Sequence, residues 1–208
     1  MERLSRNLTN WLLNQNIIDD DKKEVHKTGI ELILADIINF CLILIIGIMM
    51  KEFSAACIYL LLFWTLRRFS GGYHAKSYVV CRAVTVGIYI VIALISKFLI
   101  SNYVLISGVL NIITLITIIV FAPIRHPNKE LTIKEIHANK LFAVITTLIY
   151  ISLSMILSVF RYKQGLIISI TLFSICVLMY LGLLINKRGE HIYEKNQENT
   201  YERYSKSI

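Results

Sequence analysis

The chain has 208 residues, of which 56% are hydrophobic and only 17% charged, and it carries a formal net charge of +8 at pH 7. That composition lies outside the range of water-soluble domains and excludes them as a class, leaving a membrane protein. The basic balance comes with no nucleic-acid-binding motif, so it points to membrane topology and anionic lipid, with nucleic acid excluded as a partner.

The first 28 residues have no continuous apolar core and are broken by Asp19, Asp20, Asp21, Lys22 and Lys23, which is not how a signal peptide is built. Leu4, Leu8, Trp11 and Leu12 recur at helical spacing, predicting an amphipathic helix that lies in the membrane interface. Six apolar windows follow, at 29–50, 53–66, 78–100, 103–122, 141–160 and 165–185. Five are long enough to cross roughly 30 Å of hydrocarbon as helices. The second is about six residues short of the roughly 20 a span needs, so it must extend into RRFSGGYHAKSYVVC, residues 67–81. The expected fold is therefore an all-α polytopic membrane protein, six transmembrane helices preceded by the amphipathic interfacial helix. It divides into an N-terminal segment at the cytoplasmic face (1–28), a membrane domain (29–185) with 67–82 as its chemistry-bearing region, and a polar cytoplasmic tail (186–208).

Orientation follows from the cations. With alternating helices and the N-terminus inside, only Lys51, Lys97, Arg161 and Lys163 of the 22 Lys and Arg fall on outer turns. That asymmetry is the positive-inside pattern, and it puts both termini, residues 67–82 and the loop 123–140 in the cytoplasm.

Cys41, Cys57 and Cys176 sit within apolar windows, where a thiol is ordinarily a small packing group, and disulfides are not expected there. Cys81 differs in its neighbours. Arg82 follows it, Lys76 lies five residues back, and Arg67 and Arg68 share its membrane face; cations and a helix N-terminus both favour a thiolate. His74 stands seven residues before Cys81, and one imidazole can take a thiol proton and later protonate a leaving amine. In an unbroken helix the two would be about 10 Å apart along the axis, beyond a hydrogen bond of about 3 Å. Gly71 and Gly72 supply the flexible break, and Ser77 an N-cap for the next helix, which would set Cys81 in its first turns with His74 on a loop able to fold back. Taken alone, the same residues equally fit a packing thiol and an interfacial histidine without chemistry.

R-R-x-x-G-G-x-H, followed by six residues and Cys, at the end of the second of six spans, resembles the accessory gene regulator protein B family of bacterial quorum-sensing systems. The segment APIRHPNKEL, residues 122–131, is similar to that family's AP…NKPL segment after the fourth span, with Glu130 where the family often has proline. The resemblance implies a cysteine endopeptidase embedded in the bacterial cell membrane. Its substrate would be a short amphipathic propeptide, cut near its C-terminal tail and closed through an acyl-enzyme thioester into a cyclic thiolactone, or a lactone in some relatives. It implies Cys81 as nucleophile and His74 as acid and base, with Arg67 and Gly72 in support. Arg68, Gly71 and Lys129, from the same two segments, stand beside them as supporting or substrate-binding candidates. Asn128, Glu130, Glu31 and Asp36 are candidates to orient His74. No cofactor or metal is implied; membrane lipid and a second copy of the chain, as a homodimer, are the other partners to be considered.

Three other readings use the same residues. A polytopic transporter or channel subunit would line a path with Asp36, Asn111 and Arg82. A zinc enzyme would draw on His74, His126, His137 and Cys81, although neither HExxH nor a paired CxxC is present. A non-enzymatic interaction module would not need Cys81 at all. The charge asymmetry makes its own prediction: in single-cysteine variants, position 134 and the C-terminal tail label only from inside the cell, and the turn 161–164 from outside. External labelling of position 134 would overturn this topology.

Overall fold

The structure is a computed structural model that describes residues 2–15, 17–19, 22–70, 78–98, 103–124 and 133–205, with side chains described for these except 2, 78, 103, 133 and 185–205. The described residues form seven helices: α1 (Glu2–Asn14), α2 (Lys23–Met49), α3 (Phe53–Ser70), α4 (Tyr78–Phe98), α5 (Tyr103–Phe121), α6 (Ile133–Val159) and α7 (Lys163–Ser205). None of them is in a strand. Five helices, α2 and α4 to α7, are long and apolar enough to cross a membrane. The shorter α3 has 18 residues, having run past its apolar window to Ser70 as the deficit in length requires. Its last turn carries Arg67 and Arg68, cations that suit a helix C-terminus.

The first helix lies against α2. Ser5 and Thr9 are its buried side chains. Ser5 Oγ donates to Glu31 Oε1 at 2.9 Å, and Thr9 Oγ1 to the Ser5 carbonyl at 2.8 Å. Leu4, Leu8 and Trp11 are exposed. A helix that docks its polar stripe on the protein and turns its apolar stripe outward is built to rest in lipid.

Helix α7 is the hub, packing on α3, α4, α5 and α6. Its membrane-length stretch is 61% buried, against 17–28% for the other four. On one side Leu62, Leu66, Ile118, Ala143 and Leu172 join α3, α5, α6 and α7. On the other, Ile43, Ala56, Tyr59, Tyr89, Ile92 and Ile167 join α2, α3, α4 and α7.

Lipid offers helices no hydrophobic reason to associate, so close backbone approach and interhelical hydrogen bonds must hold them. Between α5, α6 and α7, Asn111 Nδ2 donates to Ser154 Oγ at 3.2 Å, Ser154 and Ser169 hydroxyls meet at 2.6 Å, and Ser158 Oγ donates to Ser107 Oγ at 3.0 Å. Gly165 sits inside this seam, its missing Cβ replaced by the Ser154 and Ser158 backbone.

The helix ends sort into two groups. At one end Lys163 Nζ reaches both carboxylate oxygens of buried Glu52 at 2.9 Å, and Lys97 Nζ donates to the Met50 carbonyl at 2.7 Å. The turns after α2 and α6 close alike: Glu52 N donates to Gly47 O at 2.8 Å and Tyr162 N to Leu157 O at 2.9 Å, six-residue helix-terminating loops with Lys51 (φ 58°) and Arg161 (φ 60°) in the left-handed position. The four cations assigned to outer turns thus fall at one end. At the opposite end Ile124 N donates to the Ser70 carbonyl at 3.0 Å.

Several boundaries depart from the apolar windows. Helix α6 begins at Ile133, inside the stretch read as the loop 123–140, because a helix does not stop where hydropathy does; Glu135 favours the N-terminal turn, and Lys134, His137 and Lys140 hid it from a hydropathy reading. Helix α2 likewise starts at Lys23, and α7 runs on through the polar tail to Ser205.

The seam predicts opposite outcomes for two glycines. A Cβ at Gly165 would stand 2.6 Å from Ser154 O and Ser158 N, whereas one at Gly108 would have nothing within 4 Å. Gly165→Ala should cost about 1–3 kcal/mol by overpacking, seen as a lower unfolding midpoint in detergent. Gly108→Ala should leave the midpoint unchanged or raise it. Equal losses for both would mean the seam is not as described.

Candidate functional site

Helix α4 starts at Tyr78, which sets Cys81 in its first turn, half-buried. Thr85 Oγ1 donates to the Cys81 carbonyl at 2.9 Å, and the hydroxyl of Tyr59 on α3 donates to the Thr85 carbonyl at 2.9 Å. Tyr59 is fully buried, stacked on Phe63 with ring centroids 5.2 Å apart and tilted against Tyr89 at 5.5 Å. This packing fixes the start of α4 against the middle of α3. The rigid element under Cys81 is therefore a buried aromatic cluster.

Nearer the end of α3, the Arg67 guanidinium stands 4.8 Å from the Phe63 ring centroid, a cation–π distance. It is close enough to act electrostatically on Asp36 of α2 and on Tyr59, and Cys81 is within the same reach of Tyr59. On α4, Arg82 Nε donates to Asn39 Oδ1 of α2 at 3.2 Å. Asp36 and Asn39 are three residues apart and so share a face of α2. That face gives two site cations polar partners within an otherwise apolar span. The end of α3, the start of α4 and the middle of α2 form one polar corner around Cys81.

Of the residues read from sequence as site candidates, Arg67 and Cys81 both lie within electrostatic reach of Tyr59, and Arg68 is exposed on the last turn of α3. Gly71, Gly72 and His74 fall in 71–77 and Lys129 in 125–132, outside the described residues, as do Lys76, Ser77, His126, Asn128 and Glu130. The described residues that precede these two segments, Ser70 and Ile124, are hydrogen-bonded to each other. The described residues that lead into the two motif-bearing segments therefore meet at one point. Glu31, a candidate to orient His74, is engaged by Ser5 of α1, and Asp36 lies within electrostatic reach of Arg67.

All four cysteines are free thiols. Cys176 is buried, its Sγ 3.8 Å from the Thr114 carbonyl, as a packing thiol should be. Cys41 and Cys57 are exposed on the bundle surface, a correction to their reading as packing groups: α2 and α3 are buried along one side only, and these thiols lie off it.

The groups proposed for a transport path separate. Arg82 bonds across to α2, whereas Asn111 bonds to α6 in the serine seam, so the two belong to different helix pairs. No group of three metal-ligating side chains gathers among the described residues, and His137 is exposed on α6. Asn39, Tyr59 and Thr85 were not foreseen. Asn39 and Thr85 could have been, each a polar residue about one helical turn from a site candidate, Asp36 and Cys81 respectively; Tyr59 joins them only through tertiary packing.

The accessory gene regulator B family profile matches residues 5–184, which include both motif-bearing segments. A protein of Listeria innocua serovar 6a named AgrB-like is 28% identical over 200 residues, covering 92% of this chain and 95% of its own. The accessory gene regulator protein B of a bovine strain of Staphylococcus aureus is 25% identical over 170 residues, covering 81% of this chain and 89% of its own. No solved structure matches.

Proposed function

Because the chain belongs to the accessory gene regulator B family, we propose that it is a membrane-embedded cysteine endopeptidase that cuts a short signal propeptide near its C-terminal tail and closes the processed part into a thiolactone or lactone. The observation that carries this reading is the position of Cys81, half-buried in the first turn of α4 at the bundle end where α3 stops with Arg67 and Arg68 and the His74 segment begins.

In this mechanism the imidazole of His74 takes the Cys81 thiol proton as Sγ attacks the scissile carbonyl. The tetrahedral intermediate collapses with cleavage of the C–N bond, and His74 returns the proton to the departing amine. The N-terminal part of the peptide is left as a thioester on Cys81. A thiol or hydroxyl within that peptide then attacks the same carbonyl, its proton passing through His74 to the leaving Cys81 sulfur, and the ring is closed. The positive end of α4 stabilises negative charge as it develops at Cys81. Partial burial keeps water from hydrolysing the thioester, and attack from within the bound peptide has the advantage of high effective concentration.

The supporting residues divide the remaining work. Arg67, held over Phe63 and acting electrostatically on Asp36, is a cation at the edge of the site, while exposed Arg68, and Lys129 by its charge, are assigned to a carboxylate-bearing tail. Gly71 and Gly72 are assigned the backbone freedom that an approach of His74 to Cys81 would need. The propeptide enters from the cytoplasm in this reading, the side on which both termini and both motif segments lie.

Two measurements test it on reconstituted protein. Cys81→Ala and His74→Ala should each lower cleavage by at least about a hundredfold, while Ala at Cys41, Cys57 and Cys176 together should leave it largely intact; a folded but inactive triple variant would mean the nucleophile is another thiol. With a propeptide whose ring-forming residue is Ala, a hydroxylamine-labile peptide adduct should accumulate on Cys81. Immediate release of linear acid, with no adduct under rapid acid quench, would point to direct attack by water and against the covalent route.

A further inference from the structure

Arg67 and Cys81 belong to different helices, α3 and α4, so their relative position depends on what holds those helices in register. From α3, the fully buried Tyr59 donates its hydroxyl to the Thr85 carbonyl of α4 at 2.9 Å. Thr85 stands one helical turn from Cys81, and its own hydroxyl donates to the Cys81 carbonyl at 2.9 Å. That second bond is ordinary, since Thr28, Thr65, Thr117, Thr147 and Thr171 each donate in the same way to the carbonyl four residues back. What Thr85 adds is a phenol from the neighbouring helix on its backbone.

Ring packing gives Tyr59 a place without giving α4 a register. The ring stacks on Phe63 at 5.2 Å and tilts on Tyr89 at 5.5 Å, but apolar burial is non-directional. A hydrogen bond weakens steeply once it is misaligned, so the bond to the Thr85 carbonyl fixes where α4 stands along α3. The two helices run in opposite directions, with Lys97 near the end of α4 returning to the Met50 carbonyl just before α3. At about 1.5 Å per residue, Cys81 lies about 6 Å along α4 from the bond and Arg67 about 12 Å along α3, both toward the end where α3 stops. A slip at Tyr59 therefore moves the thiol against the cation.

We propose that Tyr59 is a positioning residue for the peptide chemistry, setting the register of Cys81 on α4 against Arg67 on α3 through the Thr85 carbonyl. Its catalytic consequence rests on the cysteine-endopeptidase reading, and its structural one on the hydrogen bond alone. A misplacement of about 1 Å can cost a reaction about a hundredfold in rate, so even a partial slip of α4 is measurable.

Two variants of the full-length chain separate this role from general packing. Tyr59→Phe keeps the buried ring and removes the hydroxyl. Tyr150→Phe is its matched control: the Tyr150 hydroxyl lies 3.0 Å from Thr65 Oγ1, so this change also removes a hydroxyl bond to α3, but one that leads to α6 and away from Cys81. Tyr59→Phe should lower kcat for propeptide cleavage by roughly 10- to 100-fold with KM unchanged, and Tyr150→Phe should alter neither. Register is read without any peptide from spin labels on Trp64→Cys and Val80→Cys, exposed positions on α3 and α4, in a chain whose Cys41, Cys57, Cys81 and Cys176 are replaced by Ala. Their distance distribution should shift or broaden with Tyr59→Phe and stay as it is with Tyr150→Phe. Full kcat in Tyr59→Phe while Cys81→Ala abolishes cleavage, a loss confined to KM, equal losses in the two variants, or an unaltered distance distribution would each overturn the proposal. Cleavage that survives Cys81→Ala would instead overturn the cysteine reading and the catalytic half of the proposal with it, the label distances still deciding whether Tyr59 sets the register.

Discussion

Burying α7 among four neighbours, in a solvent that does not press helices together, is the constraint on which the rest of the structure depends. Beside bulky side chains such as Ile167 and Leu172, its packing uses small residues and hydroxyls: Gly165 against the Ser154 and Ser158 backbone, and Ser169 against Ser154. Each hydroxyl in such a seam needs a partner, because an unpaired one in hydrocarbon is costly. At the start of α7 the same requirement applies to charge. Lys163 would be unfavourable at a helix N-terminus on its own, and the buried Glu52 carboxylate, from the turn between α2 and α3, offsets it. One ion pair thus fixes the first hairpin to the hub.

With α7 central, α3 becomes the helix that links the two apolar cores, and its shortness is what opens the bundle. A full-length span would have carried Arg67 into the hydrocarbon. Ending at Ser70, α3 holds Arg67 where Phe63 and Asp36 can receive it, and α4 starts again at Tyr78. The break in the helix and the polar corner around Cys81 are therefore one feature, since a chain that must turn back near the membrane surface leaves helix termini and charged side chains together.

How much of this could be read from the residues depends on which interaction decides each feature. The helices are set by local apolar runs, so the all-helical membrane class was legible, as was the need for 53–66 to run on into the arginines. Their ends were not, because a turn such as Lys134–His137 is polar in composition and helical in structure. Cys81 stood out from its charged neighbours. Its support did not, because Tyr59 and Thr85 meet across 26 residues of sequence through a hydrogen bond from side chain to backbone that leaves no pattern in composition. The outward-facing Cys41 and Cys57 failed for a related reason: burial in hydrocarbon and burial in protein give the same hydropathy, and only packing tells them apart.

For the reaction proposed above, the position of Cys81 along α4 would satisfy two demands that oppose each other. A propeptide tail is polar and must stay near the interface, since drawing it to mid-membrane would strip its charges of water at a cost no local contact could offset. A thioester, by contrast, survives only where water is limited. A nucleophile in the middle of a span would meet the second demand and fail the first, and one on an exposed loop would do the reverse. A half-buried place in the first turn of a membrane helix, with Arg82 next in sequence, is where both can hold.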